Sequence, residues 1–167
     1  MAYTFNADEV FEIAERIEIN GGKFYRKAAE IIEDNDAKEL MLRLAAMEDE
    51  HERFFAGLRE QAKKNDGEDL NVDPDGEAAA YLKAFADGHV FDVKGDVSAR
   101  FKGTETVQEI IHTAIGFEKD AIVFFLGIKN FVPEWLGKDK INELIKEEQR
   151  HIVVLTNALG AIDKEAD

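Results

Sequence analysis

The sequence predicts an all-α protein, a bundle of four long helices arranged as two antiparallel hairpins. Three observations predict it. Apolar residues recur at helical spacing through four long segments. Glycine clusters and the two prolines, Pro74 and Pro133, punctuate the chain. The connections between the segments run short, long, short, which makes each outer pair a hairpin.

The first helix is expected from about Asp8 to Glu33, with Val10, Ala14, Ile17, Gly21, Phe24 and Ala28 as its inward stripe. Asp36 is the expected cap of the second, with Glu39 as capping-box partner. Its stripe is Leu40, Leu44, Met47, Phe54, Phe55 and Leu58, and it ends near Lys64, before Asn65-Asp66-Gly67. The third starts at Thr106, where Thr106-Val107-Gln108-Glu109 fits a capping box, and runs through Ile110, Ala114, Phe117, Ala121, Phe124 and Ile128 until Pro133 closes it. The fourth begins near Asp139, with Ile141, Leu144, Ile145, Ile152, Leu155, Leu159 and Ile162 along its stripe. Residues 1–65 thus form a first helical hairpin, 66–104 a crossover and 105–167 a second hairpin of one domain. The crossover is long enough to return along a helix of about 40 Å at 1.5 Å per residue. Within it, Asp73-Pro74 opens a short amphipathic helix (Ala78, Tyr81, Leu82, Phe85) that ends at Gly88, followed by an extended segment from His89 to Val97.

Composition narrows the function classes. A net charge of -15 argues against nucleic acid or anionic lipid as a partner. Apolar runs fall far short of the roughly 20 residues a spanning helix needs, and the N-terminus lacks a basic-then-apolar leader, so no membrane and a cytoplasmic location are expected. The absence of cysteine excludes disulfides, thiolate catalysis, iron–sulfur clusters and Cys-ligated zinc. Any metal site must be built from oxygen and imidazole nitrogen.

An internal repeat carries the chemistry. Glu18-Ile19-Asn20-Gly21-Gly22-Lys23-Phe24-Tyr25 matches Glu118-Lys119-Asp120-Ala121-Ile122-Val123-Phe124-Phe125, and Glu48-Asp49-Glu50-His51 matches Glu148-Gln149-Arg150-His151. Residues 18 and 118, 48 and 148, 51 and 151 all share an offset of 100. A Glu and a His three apart lie on one helix face, nearly one turn apart, where both can approach one ion. The matched residues fall on or beside the apolar stripes, although buried carboxylates are costly and four together repel. Two divalent cations would balance four carboxylates, with one imidazole for each. Glu18, Glu48, His51, Glu118, Glu148 and His151 are therefore the candidate ligands of a dinuclear metal site.

Other readings of these residues are plainer. Glu109-Ile110-Ile111-His112 repeats the E-x-x-H spacing, but Glu109 lies about 180° around the helix from Glu118 and faces solvent. Glu109, His112 and the crossover residue His89 are read as surface residues. For the six matched residues the alternative is a pair of buried salt-bridge networks, yet no lysine or arginine occupies an inward position to neutralise them. Tyr25, two turns after Glu18, is a candidate catalytic residue behind the ligands, placed to hydrogen-bond a ligand carboxylate. A packed core tyrosine is an equal reading, and its repeat mate Phe125 lacks the hydroxyl.

In these residues the chain resembles the ferritin-like superfamily, and within it the single-domain, rubrerythrin-like di-iron carboxylate proteins. The resemblance covers all four helices and includes the flanks Ile17-Glu18, Phe24-Tyr25 and Ala114-Ile115-Gly116-Phe117-Glu118-Lys119-Asp120. It implies a ferritin-like four-helix bundle in which Glu48 and Glu148 bridge two iron ions. Glu18 and Glu118 would be terminal ligands, and His51 and His151 would bind one ion each. Manganese suits the same hard ligand set. Full rubrerythrins add a rubredoxin module with four cysteines, which this chain lacks, so the resemblance implies an external electron donor such as a rubredoxin-like protein. Ala121 stands where those proteins tend to place a further glutamate, and Asp49 where bacterioferritins have their haem-binding methionine. A homodimer is also implied.

The function implied is a non-haem di-iron oxidoreductase that reduces hydrogen peroxide or dioxygen. Two other readings stay open at this point. One is an iron-binding or storage protein whose ferroxidase chemistry is only its loading step. The other is a bundle with a purely structural metal.

Overall fold

The structure, a computed structural model, describes residues 7–64, 80–82, 84, 97–130 and 132–165. Four long helices dominate it: α1 (Ala7–Ile31), α2 (Asn35–Lys64), α3 (Val107–Lys129) and α4 (Lys138–Glu165). Two 3₁₀ turns, Val97–Arg100 and Glu134–Leu136, complete the described elements, among which there is no strand. The four long helices form the expected all-α, four-helix bundle of two hairpins. No helix among the described residues is long and apolar enough to cross a membrane.

Local chemistry sets the helix ends. Thr106 caps α3 with the expected box: its Oγ1 accepts the Glu109 N–H at 3.2 Å, and the Glu109 carboxylate accepts the Thr106 N–H at 2.7 Å. At α2 the expected cap moves by two residues. Asp34, not Asp36, accepts the Ala37 N–H at 2.7 Å, and its carbonyl accepts the Lys38 N–H at 2.9 Å. Asp36 lies in the first turn, where a carboxylate still favours the helix N-terminus. Between α3 and α4, Gly137 takes φ 106°, a left-handed conformation that glycine adopts without a Cβ clash.

Burial follows the helical period with revisions in two helices: in α4 Ile152, Leu159 and Ile162, expected along the buried stripe, are only half-buried, and α2 departs as well. In α2 the inward line is Ala37, Leu40, Met41, Leu44, Ala45, Glu48, His51, Phe55, Leu58 and Ala62. Met47 and Phe54, expected inside, are only half-buried. Glu48 itself occupies the stripe, and Met47, about 100° away around the helix, is turned off it.

Aromatic rings fill the core on either side of the acidic layer. Phe24 meets Phe117 edge-on at 5.1 Å between centroids and stacks on Phe101 at 5.0 Å, while Phe55 packs on Phe125 at 5.0 Å. Leu82 and Val97, two of the described residues of the crossover, are both buried. Leu82 sits against Gly127, where a Cβ would come within 2.8 Å of Leu82 Cδ2 and the leucine side chain would have to shift. Residues 80–82 and 84 are helical, within the short helix expected there. Its start at Asp73-Pro74, together with Ala78, Phe85, Gly88 and the stretch from His89 to residue 96, lies outside the described residues. Val97 was expected at the end of an extended segment but opens a 3₁₀ turn that buries its side chain.

Contact is heaviest within each hairpin, α1 with α2 and α3 with α4. The two hairpins meet more sparsely, through α1 against α3 and α2 against α4. The candidate ligands lie across that seam.

Candidate metal centre

Glu18 comes from α1, Glu48 and His51 from α2, Glu118 from α3, and Glu148 and His151 from α4. Each side chain lies on the line its helix buries, and the six are between 1% and 4% exposed. Asn20, in the same turn as Glu18, is the one other buried polar residue among those described. Among the described residues no lysine or arginine joins them there, so none of these neutralises the carboxylates.

The structure brings the six into two overlapping groups. Glu18, Glu48, His51 and Glu148 offer ligand atoms within 4.8 Å of one another, and so do Glu48, Glu118, Glu148 and His151. Glu48 and Glu148 belong to both. Glu148 directs one oxygen toward each imidazole, Oε1 at 2.8 Å from His51 Nδ1 and Oε2 at 2.9 Å from His151 Nδ1. Glu48 does the same at longer range, with Oε2 3.8 Å from His51 Nδ1 and Oε1 3.4 Å from His151 Nδ1. Glu18 serves His51 alone, at 3.6 Å, and Glu118 serves His151, at 3.3 Å. The imidazoles are nearly parallel, 5.6 Å between centroids at 17°.

These approaches are close, yet few have the direction of a hydrogen bond. Glu18 Oε1, Glu48 Oε1, both Glu148 oxygens and both Nδ1 atoms are buried without a hydrogen-bond partner. Buried polar atoms rarely stay orphaned, because each one gives up water without replacing it. Here their lone pairs converge on shared space instead of on one another, which is the arrangement ligand atoms adopt around an ion. All the donors are carboxylate oxygen or imidazole nitrogen, a set that suits iron or manganese. The residues fit a di-metal centre.

Without metal, protons must quiet this charge. Burial, followed by the negative charges of Glu48 and Glu148, holds both Glu18 and Glu118 well above the usual carboxylate range. For Glu48 burial pushes upward, but Glu18, His151 and His51 together bring it below that range. Burial opposes charging of the imidazoles and loses. Contacts with Glu148, Glu18 and Glu48 raise His51, and contacts with Glu118, Glu148 and Glu48 push His151 up to about 12.

Outside the ligands, Tyr25 donates its hydroxyl proton to Glu118 Oε1. The expected contact with a ligand carboxylate is therefore present, and it reaches across to α3 instead of staying on α1 with Glu18. Burial and then the charge of Glu118 hold the phenol well above its usual value, so it remains a neutral donor. Gly21 supplies room: a Cβ there would lie 3.2 Å from Glu48 Oε2. Glu109 and His112 are exposed, as expected, while His89 lies outside the described residues.

One contact to the cluster escaped the sequence pattern. Glu147 places its Oε2 3.0 Å from His51 Nε2, with its own side chain 41% exposed. Its mate at the 100-residue offset is Met47, so a comparison that looks for repeated residues passes over it.

The rubrerythrin family model matches residues 9–88, which include Glu18, Glu48 and His51. A solved structure from Thermotoga maritima, of a protein described as ferritin-like and diiron-carboxylate, superimposes with a TM-score of 0.67. The two sequences are 22% identical, and the match covers 93% of this chain and 95% of that one. None of the curated proteins matches the chain. The chain therefore has a ferritin-like four-helix fold, and its residues 9–88 are similar to rubrerythrin.

Proposed function

We propose that the chain is a non-haem di-iron oxidoreductase that reduces hydrogen peroxide or dioxygen with electrons from an external donor. The observation that carries this reading is the pair of overlapping ligand groups that share Glu48 and Glu148. When bound, two irons at such a centre cycle between ferrous and ferric states and supply one electron each to a two-electron oxidant.

The residues have distinct tasks in this reading. Glu48 and Glu148 would serve both ions, since each turns one oxygen toward either imidazole. Glu18 and Glu118 would each serve one ion, and His51 and His151 would supply one neutral nitrogen apiece. Tyr25 holds Glu118 in one orientation and keeps its proton on Oη beside the centre. The surrounding Phe24, Phe55, Phe117, Phe124 and Phe125 exclude bulk water. With no cysteine in this chain, the electrons come from outside it, and a rubredoxin-like protein fits that role. A homodimer is the assembly we propose.

Anaerobic ferrous loading with metal counted per chain, followed by stopped-flow mixing with peroxide and separately with oxygen, tests the reading. Two irons per chain and rapid oxidation by peroxide are expected, with turnover lost in Glu148→Ala. Undiminished turnover in that variant would sink the assignment. Uptake far beyond two irons, with faster reaction toward oxygen, would transfer it to storage.

A further inference from the structure

The six ligands repeat across the seam, but the groups behind them do not. His51 Nε2 lies 3.0 Å from the carboxylate of Glu147, a side chain open to solvent. His151 Nε2 is buried with no hydrogen-bond partner. The position that matches 147 in the first hairpin holds Met47, whose thioether is at best a weak acceptor. An imidazole that offers Nδ1 to a metal carries its proton on Nε2. A carboxylate behind that N–H fixes the tautomer, holds the ring and makes it a better donor to the metal. His51 has this support and His151 lacks it.

The opposite terminal carboxylates differ in the same sense. Glu118 gives one oxygen to the Tyr25 hydroxyl. Glu18 Oε1 has no such partner, and the mate of Tyr25 is Phe125. One end of the centre therefore has a supported imidazole, a carboxylate with an uncommitted oxygen and an added negative charge at Glu147. The other has an unsupported imidazole and a carboxylate drawn partly toward a phenol.

We infer that Glu147 is a positioning residue that makes the two metal positions unequal, so that the Glu18–His51 position takes the first ion and holds it more tightly than the Glu118–His151 position. The inference rests on the di-metal reading of the cluster. It extends that reading by assigning an order of filling and the residue responsible for it.

Anaerobic titration of the metal-free chain with Co(II), followed by calorimetry and by the visible absorption of the bound ion, tests this directly. The unmodified chain should bind two ions in two steps, the first tighter by about 10-fold or more. Glu147→Met, which copies the residue at position 47, should weaken the first step by about 10–100-fold and change the spectrum of the first equivalent while leaving the second step in place. Glu147→Gln keeps an oxygen acceptor without the charge and should recover part of the loss. Met47→Glu should tighten the second step. Two equal steps in the unmodified chain would overturn the inference while leaving the di-metal reading intact. So would a Glu147→Met isotherm identical to the original, or one in which both steps weaken alike together with the unfolding temperature of the metal-free protein. A chain that binds no Co(II) would overturn the di-metal reading and this inference with it.

Discussion

The hydroxyl of Tyr25 satisfies one of the most deeply buried carboxylates in the bundle. Removing it in Tyr25→Phe leaves Glu118 Oε1 with only the 3.3 Å approach of His151 Nδ1, at a cost of about 1–3 kcal/mol to the metal-free protein. Denaturant unfolding of the two apoproteins should show that loss with an unchanged slope, and equal midpoints would mean that the phenol is only packing. Protonation gives a second prediction for these residues. Glu18 and Glu118 are held above the usual carboxylate range, and the imidazoles are raised, His151 to about 12. At neutral pH the empty cluster therefore carries protons that metal must displace, because a ligating carboxylate or imidazole is deprotonated. Loading should release protons into a weakly buffered dye solution, and affinity should fall as pH drops from about 8 to about 6. A pH-independent affinity would contradict this protonation pattern. How much of this was legible in the sequence depends on the residue. The six ligands stood out because identical residues repeat at one offset, whereas Glu147 was hidden because its mate Met47 cannot do the same work.

Helices impose their own constraints. Both partners of the Thr106 capping box lie within four residues of each other, so the start of α3 could be read locally. At α2, Asp34 and Asp36 are both able to cap, and the choice depends on where the chain leaves α1, which no local pattern encodes. At Met47 the apolar pattern and the inward line of α2 part company, because a glutamate, Glu48, holds the stripe. In α1 the same logic yields a prediction. Glycine inside a helix is disfavoured by about 1 kcal/mol relative to alanine, yet Gly21 lies in the middle of α1. It is there because a Cβ would stand 3.2 Å from Glu48 Oε2 and 3.3 Å from its Cδ and Cγ. Gly21→Ala should therefore leave the helix intact, with metal-free stability unchanged or slightly raised, while displacing the Glu48 carboxylate. Metal affinity at both positions should fall together, since Glu48 serves both. Isotherms that match the original would show that Glu48 has room to shift without loss.

At the scale of the whole molecule, the two hairpins are well packed internally and joined more sparsely, with the cluster lying across the joint. The first hairpin contributes Glu18, Glu48 and His51, and the second Glu118, Glu148 and His151, so an ion at either position is bound by both hairpins at once. The repeat at an offset of 100 let the hairpins be read from the sequence, but the crossover, which has no mate, could be read only at points such as Leu82. Metal at the seam should act as a cross-link that the unfolded chain cannot form. Each ion stabilises by about 2.7 kcal/mol when free metal is about 100 times its Kd. Two ions should thus add about 5 kcal/mol, which for a chain of 167 residues is a rise of roughly 10–20 °C in Tm. Calorimetric scans of the metal-free, loaded and chelated protein measure it. The gain should disappear in Glu148→Ala, which removes a ligand common to both positions, and should fall by about half in Glu118→Ala, which leaves the Glu18–His51 position complete. A rise of the same size in Glu148→Ala would mean that the ions stabilise the chain from somewhere other than the seam.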